Sequence, residues 1–73
     1  MSDAIEWDRY ETPRGTRFEA RYQDLDLVVC WGEFAWEWST DSAEEQVNRG
    51  KQHIARAAKE AAEDAAYAAR SEQ

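Results

Sequence analysis

The strongest constraint on the fold is a change of hydrophobic period near residue 40. Before that point apolar and polar residues alternate, as in Phe18, Ala20 and Tyr22, which are separated by charged residues. A period of two with one apolar face is typical of half-buried antiparallel strands. After it, alanine, glutamate, glutamine, lysine and arginine dominate residues 43–70, which contain no proline. These are strong helix formers, so the sequence predicts a sheet followed by a helix.

The predicted fold class is α+β. We expect one domain over residues 1–73, with an antiparallel sheet of three to four strands and a long C-terminal Ala-rich helix packed on one sheet face. Apolar alternation places strands at about 4–10, 16–23, 25–31 and 33–39, and helix-forming residues place the helix at about 42–70. Thr12-Pro13-Arg14-Gly15 and Gln23-Asp24 supply turn residues. Gly32 either turns a hairpin or kinks one long strand, so the strand number stays open.

Capping and spacing define the predicted helix. Ser42 with Glu45, or Asp41 with Glu44, matches a capping box. Small residues then recur at steps of three and four and predict a stripe that packs against the sheet aromatics, large against small. The stripe consists of Val47, Gly50, Ile54, Ala58 (or Ala57), Ala61, Ala65 and Ala68. Gly50 either weakens the helix locally or lets a tryptophan ring approach its backbone.

The length of this helix creates a mismatch. About 28 helical residues would measure about 42 Å, whereas a seven-residue strand spans about 23 Å. Three resolutions are open: the helix breaks near Gly50, its C-terminal part projects into solvent, or that part meets a second chain. The third resolution predicts a homodimer, and its seam consists of Ala61, Ala65, Tyr67 and Ala68.

Negative charge is concentrated in the first half of the chain. The net charge is −7, with ten acids and four arginines in residues 1–42, and six acids and five bases in residues 43–73. Such a surface repels nucleic acid and anionic membranes and attracts basic protein surfaces. Alternation turns many of these carboxylates away from the core, and the turns expose the others. The predicted partner-binding acids are Glu6, Asp8, Glu11, Glu19, Asp24, Asp26, Glu33 and Glu37. The same face is also consistent with ordinary solvated carboxylates, some of them paired with Arg17 and Arg21.

Enzyme chemistry finds little support. His53 is the only histidine, and no serine or cysteine nucleophile accompanies it in a known motif. Asp24-x-Asp26 lacks the glycine and the closing glutamate of a calcium loop. Phe34 shares one alternation face with Trp36 and Trp38, so these rings are predicted to turn inward, which favours core packing over a ligand cage. We therefore predict no catalytic residue, no metal and no cofactor.

Composition also indicates the compartment. Cys30 is the only cysteine, so no internal disulfide can form, which suits a reducing cytoplasm. The N-terminal residues lack the basic and apolar regions of a signal peptide, and the longest apolar run, Leu27–Trp31, is far too short for a membrane span. We predict a soluble, cytoplasmic protein.

The segment Phe34-Ala35-Trp36-Glu37-Trp38-Ser39-Thr40, followed by Ala43-Glu44-Glu45 and by the alanine-rich run 55–69, carries a resemblance. In size, acidity and layout the chain resembles small phage and prophage accessory proteins of the anti-CRISPR type. The resemblance covers the C-terminal two-thirds and transfers no functional residue. It implies a non-enzymatic inhibitor that binds a nucleic-acid-binding effector complex in an infected or lysogenic bacterial host, sometimes by imitating DNA. The alternative is a structural or assembly protein that dimerises through its helix.

Overall fold

The sheet has five strands, and one α-helix packs on one of its faces. The computed structural model describes residues 5–71. The strands follow one another in chain order and are all antiparallel, so every connection within the sheet is a hairpin. The elements are β1 (Asp8–Thr12), β2 (Gly15–Tyr22), β3 (Leu25–Trp31), β4 (Trp36–Asp41), β5 (Gln46–Gln52) and α1 (Ala55–Ser71). The predicted α+β class with a C-terminal helix on one sheet face is confirmed.

The prediction of three to four strands was too low, because residues 46–52 form β5 and not the first turns of the helix. Ser42 does not cap a helix. Its hydroxyl accepts hydrogen bonds from the backbone N–H groups of Glu44 and Glu45 at 3.3 and 3.1 Å, and closes the β4–β5 turn. A serine or threonine followed three residues later by glutamate fits both a capping box and such a turn. Because residues 46–52 pair with β4, Ser42 belongs to a turn and not to a helix cap.

The other element boundaries also differ from the prediction. The helix begins at Ala55 and not near residue 42. The strand predicted at about 4–10 runs from Asp8 to Thr12, and its first predicted residue lies outside the described chain. The strand predicted at 33–39 becomes β4, Trp36–Asp41, because residues 32–35 form a four-residue turn. Gly32 therefore belongs to a hairpin turn, one of the two alternatives left open.

The shorter helix removes the length mismatch. Seventeen residues span about 25 Å, close to the length of a seven-residue strand. Of the three resolutions, the structure is nearest to a break at Gly50, because the N-terminal part of the predicted helix forms a strand up to Gln52 and the helix begins only after it. The geometric reason for a second chain disappears, and the homodimer stays a prediction.

The centre of the core is aliphatic. Leu25, Leu27 and Val29 on β3 are fully buried, and α1 covers them with Ala58, Ala62 and Ala66. Large residues thus face small ones, as predicted, but the fully buried large residues are aliphatic. The rings of Trp7, Tyr22 and Trp38 pack around this centre and are half-buried. Ala58, Ala62 and Ala66, at steps of four, form the innermost helix stripe, whereas Ala61 and Ala65 are half-buried and Ala68 is exposed.

Polar and charged side chains also stabilise the packing of the helix on this centre and on the β1–β2 side of the sheet. The Thr40 hydroxyl, fully buried, donates to the carbonyl oxygen of Ala62 at 2.9 Å. Trp7 Nε1 donates to Glu63 at 2.7 Å. Lys59 Nζ lies 3.7 Å from the centre of the Phe18 ring, a cation–π contact. The flank of α1 that faces β1 and β2 is therefore held by specific contacts in addition to apolar burial.

Gly50 faces Trp38 across the β4–β5 pair. The indole lies against the Gly50 backbone so closely that a Cβ atom there would come within 2.8–2.9 Å of three indole atoms. The predicted approach of a tryptophan to Gly50 is confirmed, although it occurs between two strands. Only glycine leaves space for the ring at this position.

Candidate functional site

The sheet has one face under α1 and one open face. Leu27, buried under the helix, pairs with Thr40 on β4 and with Ala20 on β2, which places these three side chains on the helix face. Because neighbouring residues along a strand point to opposite sides, the residues next to them form the open face. No element within residues 5–71 packs on that face.

The open face carries charges of both signs. Its acids are Asp8, Glu19, Asp26, Glu37 and Asp41, and its bases are Arg17, Arg21, Arg49 and Lys51. Five acids interleaved with four bases do not form the continuous run of negative charge that a DNA backbone presents. Negative charge that could act on a partner must therefore be sought among individual carboxylates.

Half of the predicted partner-binding acids are neutralised by arginine. Salt bridges join Glu11 to Arg9 at 2.8 Å, Glu19 to Arg17 at 2.5 Å, Asp26 to Arg21 at 3.6 Å and Asp24 to Arg70 at 2.7 Å. Glu11 also lies on the helix side of β1 and accepts from the Thr16 hydroxyl. Pairing across strands was predicted for Arg17 and Arg21: Arg21 does pair with Asp26 across β2 and β3, whereas Arg17 pairs with Glu19 on its own strand. Because an arginine offsets the charge of each of these four carboxylates, they attract a basic partner less strongly.

The other four acids, Glu6, Asp8, Glu33 and Glu37, are exposed and form no salt bridge with any residue from 5 to 71. They separate into two pairs. Glu6 and Asp8 lie just before and at the start of β1, whereas Glu33 and Glu37 lie in and just after the turn between β3 and β4. Of the predicted site, the structure brings Glu33 and Glu37 together.

The β3–β4 turn, residues 32–35, has unusual geometry. The Gly32 N–H donates to the Ala35 carbonyl at 2.8 Å and closes the turn. Glu33 has φ = 83°, in the left-handed region, which costs an L residue other than glycine about 1–2 kcal/mol. Glu37 packs against the turn, since a Cβ atom on Gly32 would overlap its side chain. Both carboxylates thus lie at one edge of the open face.

Phe34 lies in the same turn and is 85% exposed. No other large apolar residue within 5–71 is as exposed. Trp31 and Ile54, at the same end of the sheet, are 41% and 59% exposed. The sequence prediction turned Phe34 inward because it shares parity with Trp36 and Trp38, and this prediction was wrong. The four-residue turn interrupts the strand, so parity does not carry across it. The only sequence signal for this was Gly32 followed by a charged residue.

An open groove of about 840 Å³ runs beside this turn. One wall comes from the β1–β2 turn with Arg14, and the other from Glu33 and Glu37, with Cys30 and Trp31 between them. On the helix face of the sheet, the rings of Trp31 and Trp36 meet edge to face with centres 5.4 Å apart, and Phe18 lies 6.0 Å from Trp36. Trp31, which lines the groove, thus connects it to a set of packed rings.

The predicted dimer seam is partly used within the chain. Tyr67 packs edge to face on Tyr22 with ring centres 5.1 Å apart, which ties the helix to β2. Ala61 and Ala65 are half-buried, and Ala68 is exposed. The structure therefore does not place these four residues on one open surface.

His53 and Cys30 lie on different parts of the fold. His53 is exposed in the connection between β5 and α1, and not on the helix as predicted. Cys30 lies half-buried on the open face, opposite the side that carries Trp31 and Trp36. No group of three His, Cys, Asp or Glu side chains within residues 5–71 could hold a metal ion. The helix of this region also lacks the apolar length needed to cross a membrane.

Comparisons with known proteins give no family for this chain: no family model, no curated protein and no solved structure matches it.

Asp24 and Arg70 shift each other's pKa values. Arg70, in the last turn of α1, reaches the β2–β3 turn and donates to both carboxylate oxygens of Asp24 at 2.7 Å. These hydrogen bonds lower the pKa of Asp24 below its ordinary value of 3.8, and the carboxylate raises the pKa of Arg70. The cation also lies where the helix dipole favours positive charge.

This pair predicts a pH-dependent contribution to stability. Because the folded-state pKa of Asp24 is lowered, the contribution is complete above the unfolded-state pKa and disappears as pH falls through the folded-state pKa. We expect Asp24→Asn to lower the stability at about pH 6, and the difference from wild type to shrink toward about pH 3. Urea unfolding along this range measures it. Asp8→Asn, which changes charge at a carboxylate without a salt bridge in residues 5–71, is the control. A difference for Asp24→Asn that stays constant with pH would contradict the assignment.

Proposed function

We propose that this protein is a non-enzymatic, phage-encoded inhibitor that binds a basic surface of a bacterial nucleic-acid-binding complex of the CRISPR–Cas type and blocks it. The observation that supports this is the distribution of free carboxylates. Glu33 and Glu37 stay exposed without a salt bridge in residues 5–71, beside a groove and an exposed ring, whereas four other acids are paired with arginine. Unpaired charge favours association with a surface of opposite sign.

The mode of binding that fits this distribution is local. An extended imitation of DNA needs regularly spaced negative charge, and the interleaved bases of the open face interrupt it. Two carboxylates at one end of the sheet can instead meet a few lysine or arginine side chains that normally contact phosphate. The inhibitor then blocks the complex sterically, and its net charge of −7 speeds the encounter.

The alternative function, assembly through a homodimer of the helix, has less support. The helix fits the sheet in length, and Tyr67 packs on Tyr22 of the same chain. No observation among residues 5–71 favours the helix seam over the β3–β4 turn with Glu33 and Glu37 as the binding surface. Its test is the molar mass from light scattering at micromolar concentration, where a dimer would give twice the mass of one chain.

Charge reversal tests the proposed function. We expect the wild-type protein to bind a guide-loaded Cas effector complex at a fixed stoichiometry and to inhibit its target binding, with an affinity that falls as salt increases. The double variant Glu33→Lys/Glu37→Lys should bind roughly tenfold more weakly or worse, because like charges would then face each other. Isothermal titration at two salt concentrations, with a target-binding assay in parallel, measures both effects.

The matched control is Glu44→Lys/Glu45→Lys. These two glutamates are exposed in the β4–β5 turn, at the opposite end of the sheet, and their reversal changes the net charge by the same amount. We expect only the small, general loss that follows from net charge. Equal losses for both double variants would show that overall charge and not the β3–β4 end determines binding. Absence of binding by the wild-type protein to any such complex would overturn the proposed function.

A further inference from the structure

At two adjacent positions of the β3–β4 turn, a different residue would suit the stability of the fold better than the one present. Glu33 occupies a left-handed backbone conformation that glycine would adopt without strain. Phe34 exposes almost its whole ring, although a polar residue would cost nothing at this position. Strained backbone and exposed apolar surface both occur preferentially at binding sites.

The turn also has a rigid base. Its closing hydrogen bond, between the Gly32 N–H and the Ala35 carbonyl, is 2.8 Å long. The residues that flank it, Trp31 and Trp36, pair across β3 and β4 and pack ring against ring. A ring presented on such a base loses less conformational freedom on binding than one on a flexible loop.

Resting on the proposed function, we propose that Phe34 is the anchor of the interface, and that its partner is a protein surface with an apolar pocket rimmed by lysine or arginine. Phe34 enters the pocket, and Glu33 and Glu37 pair with the rim. Buried aromatic anchors surrounded by polar contacts commonly dominate the affinity of protein interfaces. Both glutamates line the groove next to the turn that carries the anchor.

Charge complementarity selects this occupant. An anionic membrane or a nucleic acid would be repelled by Glu33 and Glu37 as Phe34 approached it. A second copy of the chain, docked turn to turn, would bring four carboxylates together. A basic and apolar protein surface satisfies the ring and both carboxylates at once.

Selection of displayed peptides tests the anchor without knowledge of the natural target. Random peptides displayed on phage are selected on immobilised wild-type protein, and the recovered peptides are synthesised and titrated against purified variants. We expect the recovered sequences to combine lysine or arginine with an apolar residue, and to bind Phe34→Ser at least tenfold more weakly than wild type. Thermal unfolding of Phe34→Ser should match wild type, because the ring makes little contact with the fold.

Two further variants sharpen the result. Glu33→Gly should unfold at a higher temperature than wild type, because it relieves the backbone strain, and yet bind the peptides more weakly. Tyr10→Ser removes another exposed ring, on the open face of β1, and should leave peptide affinity unchanged. Recovered peptides without basic residues, or with equal affinity for wild type and Phe34→Ser, would overturn the anchor, as would failure to recover any binding peptide. Sedimentation of wild type with phosphatidylcholine vesicles, lost in Phe34→Ser, would replace the protein partner by a lipid surface.

The two proposals fail separately. If wild type and Phe34→Ser bind a guide-loaded Cas complex equally well, the inhibitor function stands and the anchor is wrong. If no Cas complex is bound but the recovered basic peptides require Phe34, the anchor stands and the proposed target class is wrong.

Discussion

Replacement of Ala62 by glutamate is expected to unfold the domain. Ala62 is fully buried in the cluster with Leu25, Leu27 and Ala66, and its carbonyl oxygen accepts the Thr40 hydroxyl. A glutamate side chain there would place a carboxylate among aliphatic groups, at a cost of several kcal/mol. A chain of 73 residues has a total stability of roughly 4–11 kcal/mol. The loss is therefore comparable with the entire stability of the fold.

Ala68→Glu is the control for this prediction. It makes the same substitution on the same helix, but Ala68 is exposed. We expect a cost of only about 0.3–1 kcal/mol, mainly because an acid near the helix C-terminus opposes the dipole. Far-UV circular dichroism and urea unfolding measure both variants. If Ala68→Glu were the more damaging of the two, the stripe of Ala61, Ala65 and Ala68 would be the inner one, and the orientation of α1 described above would be wrong.

Replacement of Gly50 by alanine is expected to cost about 1–3 kcal/mol through overpacking. The new Cβ atom would lie 2.8–2.9 Å from three atoms of the Trp38 indole. The indole is rigid and packs against the core cluster between the sheet and α1, so it cannot retract as the end of a flexible side chain can. Alanine also lowers the conformational entropy of the unfolded chain, which stabilises the fold by about 0.4–1 kcal/mol. The substitution is therefore still destabilising overall. Urea unfolding followed by tryptophan fluorescence measures it.

Gly32→Ala is the matched control, because its Cβ atom would meet the side chain of Glu37, which is flexible and exposed. A smaller ring tests the mechanism directly. Trp38 Nε1 has no acceptor within residues 5–71, so Trp38→Phe removes volume without removing a hydrogen bond. Gly50→Ala should therefore cost less in a Trp38→Phe background than in wild type. Equal costs in both backgrounds would mean that the indole is not the obstacle.

Most of the sheet follows from the sequence. Alternation at Phe18–Tyr22 and Leu25–Trp31 predicted β2 and β3 nearly to the residue, because both strands have one buried and one solvated face. The turns at Thr12–Gly15 and Gln23–Asp24 were predicted from their residue types and are confirmed. Alanine at helical spacing predicted the presence and location of α1 from residue 55 onward.

The strand β5 could not be predicted in this way. Its residues, Gln46–Gln52, are largely helix formers, and the position opposite Trp38 is a glycine. A strand that offers space to a tryptophan, and not bulk, shows no apolar alternation. Tertiary pairing with β4 overrode the local preference for helix.

The candidate site was predicted in part. Charge counts identified the excess of acid in the first half of the chain, and with it Glu33 and Glu37. Which acids are neutralised depends on pairs such as Arg70 with Asp24, 46 residues apart, which no local pattern contains. The exposure of Phe34 depends on the turn length between β3 and β4, which alternation alone does not determine.

The most direct test of the acidic, aromatic end as a binding surface uses the two phenylalanines of the chain. Biosynthetic 4-fluorophenylalanine gives two ¹⁹F signals, and the Phe34→Ser variant assigns them. Phe18 lies half-buried under Lys59 and serves as the internal reference. In the free protein the Phe34 signal should shift on exchange of H₂O for D₂O much more than the Phe18 signal. On addition of a selected basic peptide, the solvent shift of Phe34 should collapse while that of Phe18 stays the same. A bound state in which Phe34 keeps its full solvent shift would contradict the binding surface proposed here.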